Sequence, residues 1–206
     1  KKPRALLFDH DGVLVASEPL HWEAWEKLLR SLGLPYKEAE IRKRVGRTAP
    51  EILIEILDLH RPGWKREDFD VHELALEKND YYLKSVPAGL KLYPGVLEGL
   101  QWMKAQGIRA AVVSNARRRE LDTALDLLEV RSFFDALISR DDVQPPKPDP
   151  TPYLTAAALL STDPSECIAI EDSPPGLEAA LLAKIPTVAV TTNFLEETLK
   201  TLALER

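Results

Sequence analysis

The chain has 206 residues, a formal net charge of -6, 45% hydrophobic and 29% charged residues, which suits one α/β domain with an insertion or two small domains. An acidic balance argues against nucleic acid or an anionic membrane surface as the main partner, and a small anionic substrate then needs a local cation. No apolar run reaches the roughly 18 residues that span a bilayer, and no secretory signal opens the sequence. The single cysteine, Cys167, lies in the apolar run Cys167-Ile168-Ala169-Ile170 and reads as a small buried strand residue in a reducing compartment. A cytoplasmic monomer is the expectation.

The first element is Arg4-Ala5-Leu6-Leu7-Phe8, with the length and residue type of a buried parallel strand. It runs into Asp9-His10-Asp11-Gly12-Val13-Leu14. Alternation puts Asp9 and Asp11 on one side of the exiting chain, at the sheet edge where open α/β folds bind ligands. Gly12 permits a sharp turn. Two crowded carboxylates leave two options: a cation joins them, or one takes up a proton. Either suits a phosphoryl transfer in which Asp9 attacks phosphorus and Asp11 passes a proton to and from the leaving oxygen. A polar turn that merely closes a strand is the other reading of these residues.

Helical patterning follows from residue 15 to about 88. Ser17 is placed to cap a helix with Pro19 in its first turn, and His21, Trp25, Leu28, Leu29 and Leu32 form its apolar face up to Gly33 and Pro35. Thr48-Ala49-Pro50-Glu51 is a capping box ahead of Ile52, Leu53, Ile56 and Leu57. Glu67 to Ser85 is helical again and is expected to stop before Pro87. Trp22, Trp64 and Trp102 read as packing or surface aromatics.

Strands then return in alternation with helices. Pro94-Gly95 opens a helix to Gln106, Ile108 to Val113 is a strand, and Arg118 to Leu128 is helical. Ala136 to Ser139 is a strand and Pro152 to Leu160 a helix; Cys167 to Ile170, Leu177 to Lys184, Thr187 to Val190 and a terminal helix from Glu196 complete the pattern. This specifies a doubly wound parallel sheet. The expected organisation is an α/β core of residues 1–14 and 89–206, interrupted by a helical insertion of residues 15–88 that sits as a lid above the sheet edge.

Later strands also end in polar signatures. Ser114-Asn115 offers a hydroxyl and an amide for a phosphoryl oxygen, or a helix cap. In Gln144-Pro145-Pro146-Lys147-Pro148-Asp149-Pro150 the prolines fix the backbone direction around one lysine. Glu171-Asp172-Ser173 brings two acids to a helix start, as a site or as an acidic cap. Their joint occurrence at successive strand ends favours a site.

In this order Asp9-His10-Asp11-Gly12-Val13, Ser114-Asn115, Lys147-Pro148 and Glu171-Asp172-Ser173 resemble the four motifs of the haloacid dehalogenase superfamily of phosphotransferases. The resemblance covers nearly the whole chain. It is nearest the branch with a helical cap after the first motif, which includes β-phosphoglucomutase and small sugar- and polyol-phosphate phosphatases. Ser17-Glu18, His21, Trp25, Lys78-Asn79-Asp80 and Tyr93-Pro94-Gly95 look like that branch. The resemblance implies that Asp9 is the nucleophile and Asp11 the general acid and base. Ser114, Asn115 and Lys147 would bind phosphate. Mg²⁺ would be held by the carboxylates of Asp9 and Asp172 and the backbone carbonyl of Asp11, with Glu171 a ligand or just behind one.

The phosphoryl acceptor separates two functions. A hydrolase passes the group to water, whereas a β-phosphoglucomutase-like enzyme passes it to another hydroxyl of a sugar phosphate and needs a second phosphate site in the lid. Where that mutase carries a lid arginine, this sequence has Ala49 in Gly46-Arg47-Thr48-Ala49. Arg47 is a shifted substitute or a solvated helix-end charge. Arg117, in Arg117-Arg118-Arg119, reads as a substrate contact or a solvated helix start, and His21 as a lid residue or a packed core histidine. Lys78 completes the lid candidates. The expected activity is Mg²⁺-dependent hydrolysis of a small sugar- or polyol-phosphate monoester through a phospho-aspartate.

Overall fold

The structure is a computed structural model that describes residues 2–204. The chain divides into two compact units, Lys1–Ala16 with Lys91–Arg206, and Ser17–Leu90.

The first unit is α/β. Its five strands, β1 (Ala5–Phe8), β2 (Arg109–Val113), β3 (Ala136–Ile138), β4 (Cys167–Glu171) and β5 (Thr187–Ala189), form a parallel sheet in the order β3-β2-β1-β4-β5. The central strand β1 pairs with β2 through Leu7 and Ala111, and with β4 through Leu7 and Ala169. The chain leaves β1 towards β2 and β3, then crosses back to β4 on the opposite side of β1. In open α/β sheets the carboxyl ends of the strands at such a reversal, here β1 and β4, are where ligands bind.

Ala5, Leu7, Ala111, Val113 and Ala169 are buried on the sheet against Tyr153, Ala156 and Ala157 of α7 (Thr151–Leu159) and Ala179 and Ala180 of α8 (Pro174–Leu182). Small residues on both helices bring their backbones close to the strands. The remaining helices of this unit are α5 (Val96–Ala105), α6 (Arg118–Leu127) and α9 (Glu196–Leu204). Cys167 is buried, and burial pushes its thiol up to about 11, so it stays a protonated packing group.

The second unit is helical: α1 (Glu18–Ser31), α2 (Glu38–Arg42), α3 (Ala49–His60) and α4 (Val71–Gly89). Trp25, Leu28, Leu29, Ile41, Ile52, Leu53, Ile56, Leu57, Val71 and Ala75 form its core. The Glu51 half of the expected capping box is present, with the Thr48 backbone N–H donating to Glu51 Oε2 at 2.8 Å.

Two local expectations need correction. Ser17 occupies the position before α1 but is fully buried and makes no capping bond; its backbone is already helical, which takes its side chain out of the capping geometry. Helix α4 also runs through Pro87 to Gly89. A proline so near a helix end removes one hydrogen bond, while Val86 is buried and its carbonyl accepts from Leu90 N–H at 3.1 Å. Among the described residues no helix is long and apolar enough to cross a membrane.

Candidate active site

Three neighbouring strand ends meet at one ammonium. Lys147 Nζ donates to Asp9 Oδ1 just past β1 at 3.0 Å, to the Val113 carbonyl ending β2 at 2.6 Å, and to Glu171 Oε1 ending β4 at 2.5 Å. The lysine side chain is 2% exposed, and its three hydrogens have three acceptors. Burial alone would lower its pKa, but the charges of Asp9 and Glu171 hold it above the ordinary value.

Asn115 fixes the lysine's backbone. Its amide N–H donates to the Lys147 carbonyl at 3.0 Å and its amide oxygen accepts from the Lys147 N–H at 3.0 Å. The sequence reading aimed this amide at a phosphoryl oxygen; in the folded chain its nitrogen and its oxygen each bond the Lys147 backbone. Buried Ser114 follows β2, and its hydroxyl accepts from the Ala116 N–H at 3.0 Å.

The acids are as tightly held. Glu171 accepts from the buried Tyr153 hydroxyl at 2.5 Å, and the same ring lies 5.0 Å from Lys147 Nζ, giving a cation–π contact. Burial, then the charges of Glu171 and Asp9, push the Tyr153 hydroxyl far above its ordinary pKa, so it remains a donor. Asp172 accepts from Asn193 Nδ2 at 2.6 Å. A side-chain carbon on Gly12, which has φ of +79°, would overlap the Asp172 carboxylate, and one on Gly176 would overlap Glu171. Glycine at both positions leaves room for the two carboxylates. Tyr153 and Asn193 were not legible as site residues, because neither belongs to a local polar signature.

Asp9, Glu171 and Asp172 are buried, and their nearest oxygens lie within 4.8 Å of one another. One lysine leaves surplus negative charge. Burial and the Glu171 charge raise Asp9 to about 7, against the opposing pull of Lys147. An all-oxygen, electron-rich set at this spacing fits a small hard divalent cation.

The Asp11 carboxylate stands outside this cluster. Its Oδ1 lies 3.2 Å from Nδ1 of the buried His10, and its side chain is 27% exposed. Any part Asp11 has in holding a metal therefore falls to its backbone carbonyl, the group named in the sequence reading. Arg117, just before α6, has Nη1 3.9 Å from Asp141 Oδ1.

Within the helical unit, His21 Nδ1 and Lys78 Nζ are 2.7 Å apart, joining α1 to α4. His21 stacks on Tyr82 with centroids 4.0 Å apart. Lys78 is buried with Nζ 5.5 Å from each of the Trp25 and Tyr82 rings. Arg47 is half-exposed and ion-paired with Glu55, which also takes Arg44 at 2.8 Å.

This fold and site define a doubly wound α/β enzyme scaffold with a metal-competent acidic centre at its switch point. The chain belongs to the haloacid dehalogenase-like hydrolase family, whose model matches residues 6–190. It is 35% identical over 197 residues to the validoxylamine A 7'-phosphate phosphatase of Streptomyces hygroscopicus subsp. limoneus, covering 95% of this chain and 89% of that protein. It is also 35% identical over 187 residues to a phosphorylated carbohydrates phosphatase of Thermotoga maritima, covering 89% and 83%. The solved structure of a haloacid dehalogenase-like hydrolase from Bacteroides fragilis superposes with a TM-score of 0.87 at 26% identity, covering 97% of this chain and 93% of that one.

Proposed function

We propose that this chain is a Mg²⁺-dependent phosphatase that cleaves a small sugar- or polyol-phosphate monoester through a phospho-aspartate at Asp9. The observation that carries the reading is the meeting of Lys147 with Asp9 and Glu171 at 3.0 and 2.5 Å, beside Asp172. The two relatives named for phosphorylated sugars or sugar-like compounds support the substrate class.

In this reading the Asp9 carboxylate attacks phosphorus while the bond to the leaving oxygen breaks, and Asp11 delivers the proton that oxygen needs. Water then attacks the phospho-aspartate with Asp11 taking its proton, which regenerates Asp9. Ser114 and Lys147 hold phosphoryl oxygens, and Asn115 holds Lys147. Each unit-charge repulsion between a phosphate and a carboxylate costs ~4 kcal/mol at ~4 Å and an effective dielectric of ~20, so several uncompensated pairs would keep the substrate out. Mg²⁺ held by Asp9 and Asp172, with the Asp11 carbonyl and Glu171 at hand, supplies the opposing charge.

The helical unit is proposed as the cap inserted after the first motif, with His21, Arg47 and Lys78 as selectivity residues and Arg117 as a further substrate contact. Ala49 in place of the mutase arginine favours water as the acceptor over a second sugar hydroxyl. A cytoplasmic monomer remains part of the proposal.

The test is purified protein with Mg²⁺ and a panel of phosphate monoesters. Release of inorganic phosphate from sugar or polyol phosphates is the expected result. Conversion of β-glucose 1-phosphate to the 6-phosphate, primed by a bisphosphate and without phosphate release, would overturn the hydrolase in favour of the mutase.

A further inference from the structure

We infer that His10 is a positioning residue, whose Nδ1 holds the Asp11 carboxylate in the orientation from which it serves as proton donor. The inference rests on the phosphatase reading and adds to it a residue that touches the proposed acid.

Three observations carry it. His10 is 1% exposed although it lies between two acids at a sheet edge, so the fold encloses a polar ring where an apolar side chain would pack at less cost. Neither ring nitrogen has an aligned hydrogen-bond partner among the described residues, yet Nδ1 stands 3.2 Å from Asp11 Oδ1. A buried ring in that state depends on the one carboxylate within reach. The backbone on both sides is also pinned. The His10 carbonyl accepts from the Leu14 and Val15 N–H groups at 2.9 and 3.1 Å, and the Gly12 N–H donates to the Val15 carbonyl at 3.1 Å. A fixed backbone and an enclosed ring give Nδ1 a fixed direction beside the Asp11 carboxylate, whose side chain is 27% exposed. Buried Glu120 on α6 and Asp9 add negative charge around the ring, which orients an N–H towards carboxylate.

An acid matters to the first step in proportion to how poorly the leaving oxygen carries charge. The experiment therefore measures first-turnover leaving-group release, with Mg²⁺, from an alkyl phosphate and from p-nitrophenyl phosphate. The proteins are wild type, His10→Leu, His10→Asn, whose amide nitrogen falls near Nδ1, and His10→Gln, whose amide nitrogen falls nearer Nε2. Expected is a loss of roughly tenfold to a hundredfold for His10→Leu and His10→Gln on the alkyl ester. On the aryl ester their loss is under about threefold, and His10→Asn stays within about threefold of wild type on both.

Equal losses on the two esters, no loss on either, or an Asn variant no better than the Gln variant would each overturn the role of His10. If the leucine variant does not fold, the comparison of Asn with Gln decides alone. A crystal structure of a metal-free Leu or Gln variant with the Asp11 carboxylate unmoved would overturn it independently of turnover. Wild-type protein inert towards both esters sinks the phosphatase reading, a different result from an active wild type whose variants lose nothing.

Discussion

Gly176 lies directly against the carboxylate of Glu171, so that a side-chain carbon there would occupy the space of the acid itself. Glu171 also receives Lys147 and Tyr153, so Gly176→Ala is expected to displace all three and cost about 1–3 kcal/mol of stability. Gly99, within α5, has open space around it. Gly99→Ala should be neutral or up to about 1 kcal/mol stabilising. Chemical denaturation of the two variants side by side checks the contrast, and an unaffected Gly176→Ala would count against it.

Asp9 and Lys147 should separate chemistry from stability. Asp9→Asn is expected to lower turnover roughly a thousandfold or more while melting no lower than wild type in metal-free buffer at pH 8, because it removes a carboxylate whose pKa is raised to about 7. Lys147→Met leaves buried acids without their cation, for which a loss of ~3–5 kcal/mol is typical. Turnover measured with thermal melts distinguishes the two; residual activity in Asp9→Asn at wild-type level would leave the covalent mechanism without support.

The raised Asp9 pKa also sets the sign of a pH effect. Burial and the Glu171 charge keep this group protonated up to about 7 in the fold, against about 3.9 for an ordinary aspartate. Its contribution to metal-free stability is therefore complete below about pH 4 and lost as pH rises through about 7. Mg²⁺ competes with that proton. The gain in melting temperature on adding Mg²⁺ after chelation is expected to be larger at pH 8 than at pH 5. Equal gains at both values would show that Asp9 is not a ligand.

Asn115→Ala removes both bonds that fix the Lys147 backbone. The expected cost is about 1–3 kcal/mol in stability and up to about a hundredfold in kcat from misplacement of the lysine. Asn115→Asp keeps the acceptor and loses the donor, so it should fall between. Steady-state kinetics on one monoester ranks the three proteins.

These contacts mark how far the sequence could be read. The apolar runs that became β1, β2 and β4 announced themselves, because a strand buried on both faces has no polar alternation to blur it. Asp9, Glu171 and Asp172 were legible for a related reason, each at or just past a strand end, and Lys147 stood out by the prolines around it in the connection from β3 to α7. Partnerships made only in three dimensions were not legible. Tyr153 lies inside a helix of apolar and small residues, and nothing local tells that its hydroxyl reaches Glu171. The bonds of the Asn115 amide to Lys147, 32 residues away, are another such partnership. Short α2, with one buried residue in five, carries too little periodicity to be distinguished from a loop.

The saturated state of Lys147 bears on how a phosphate group is admitted. Every N–H of that ammonium is already spoken for by Asp9, Val113 and Glu171, so an arriving oxyanion gains a lysine bond by displacing one of them. Recognition at this residue is an exchange of acceptors, and arginine, with its broad planar head, could not take part in the same swap.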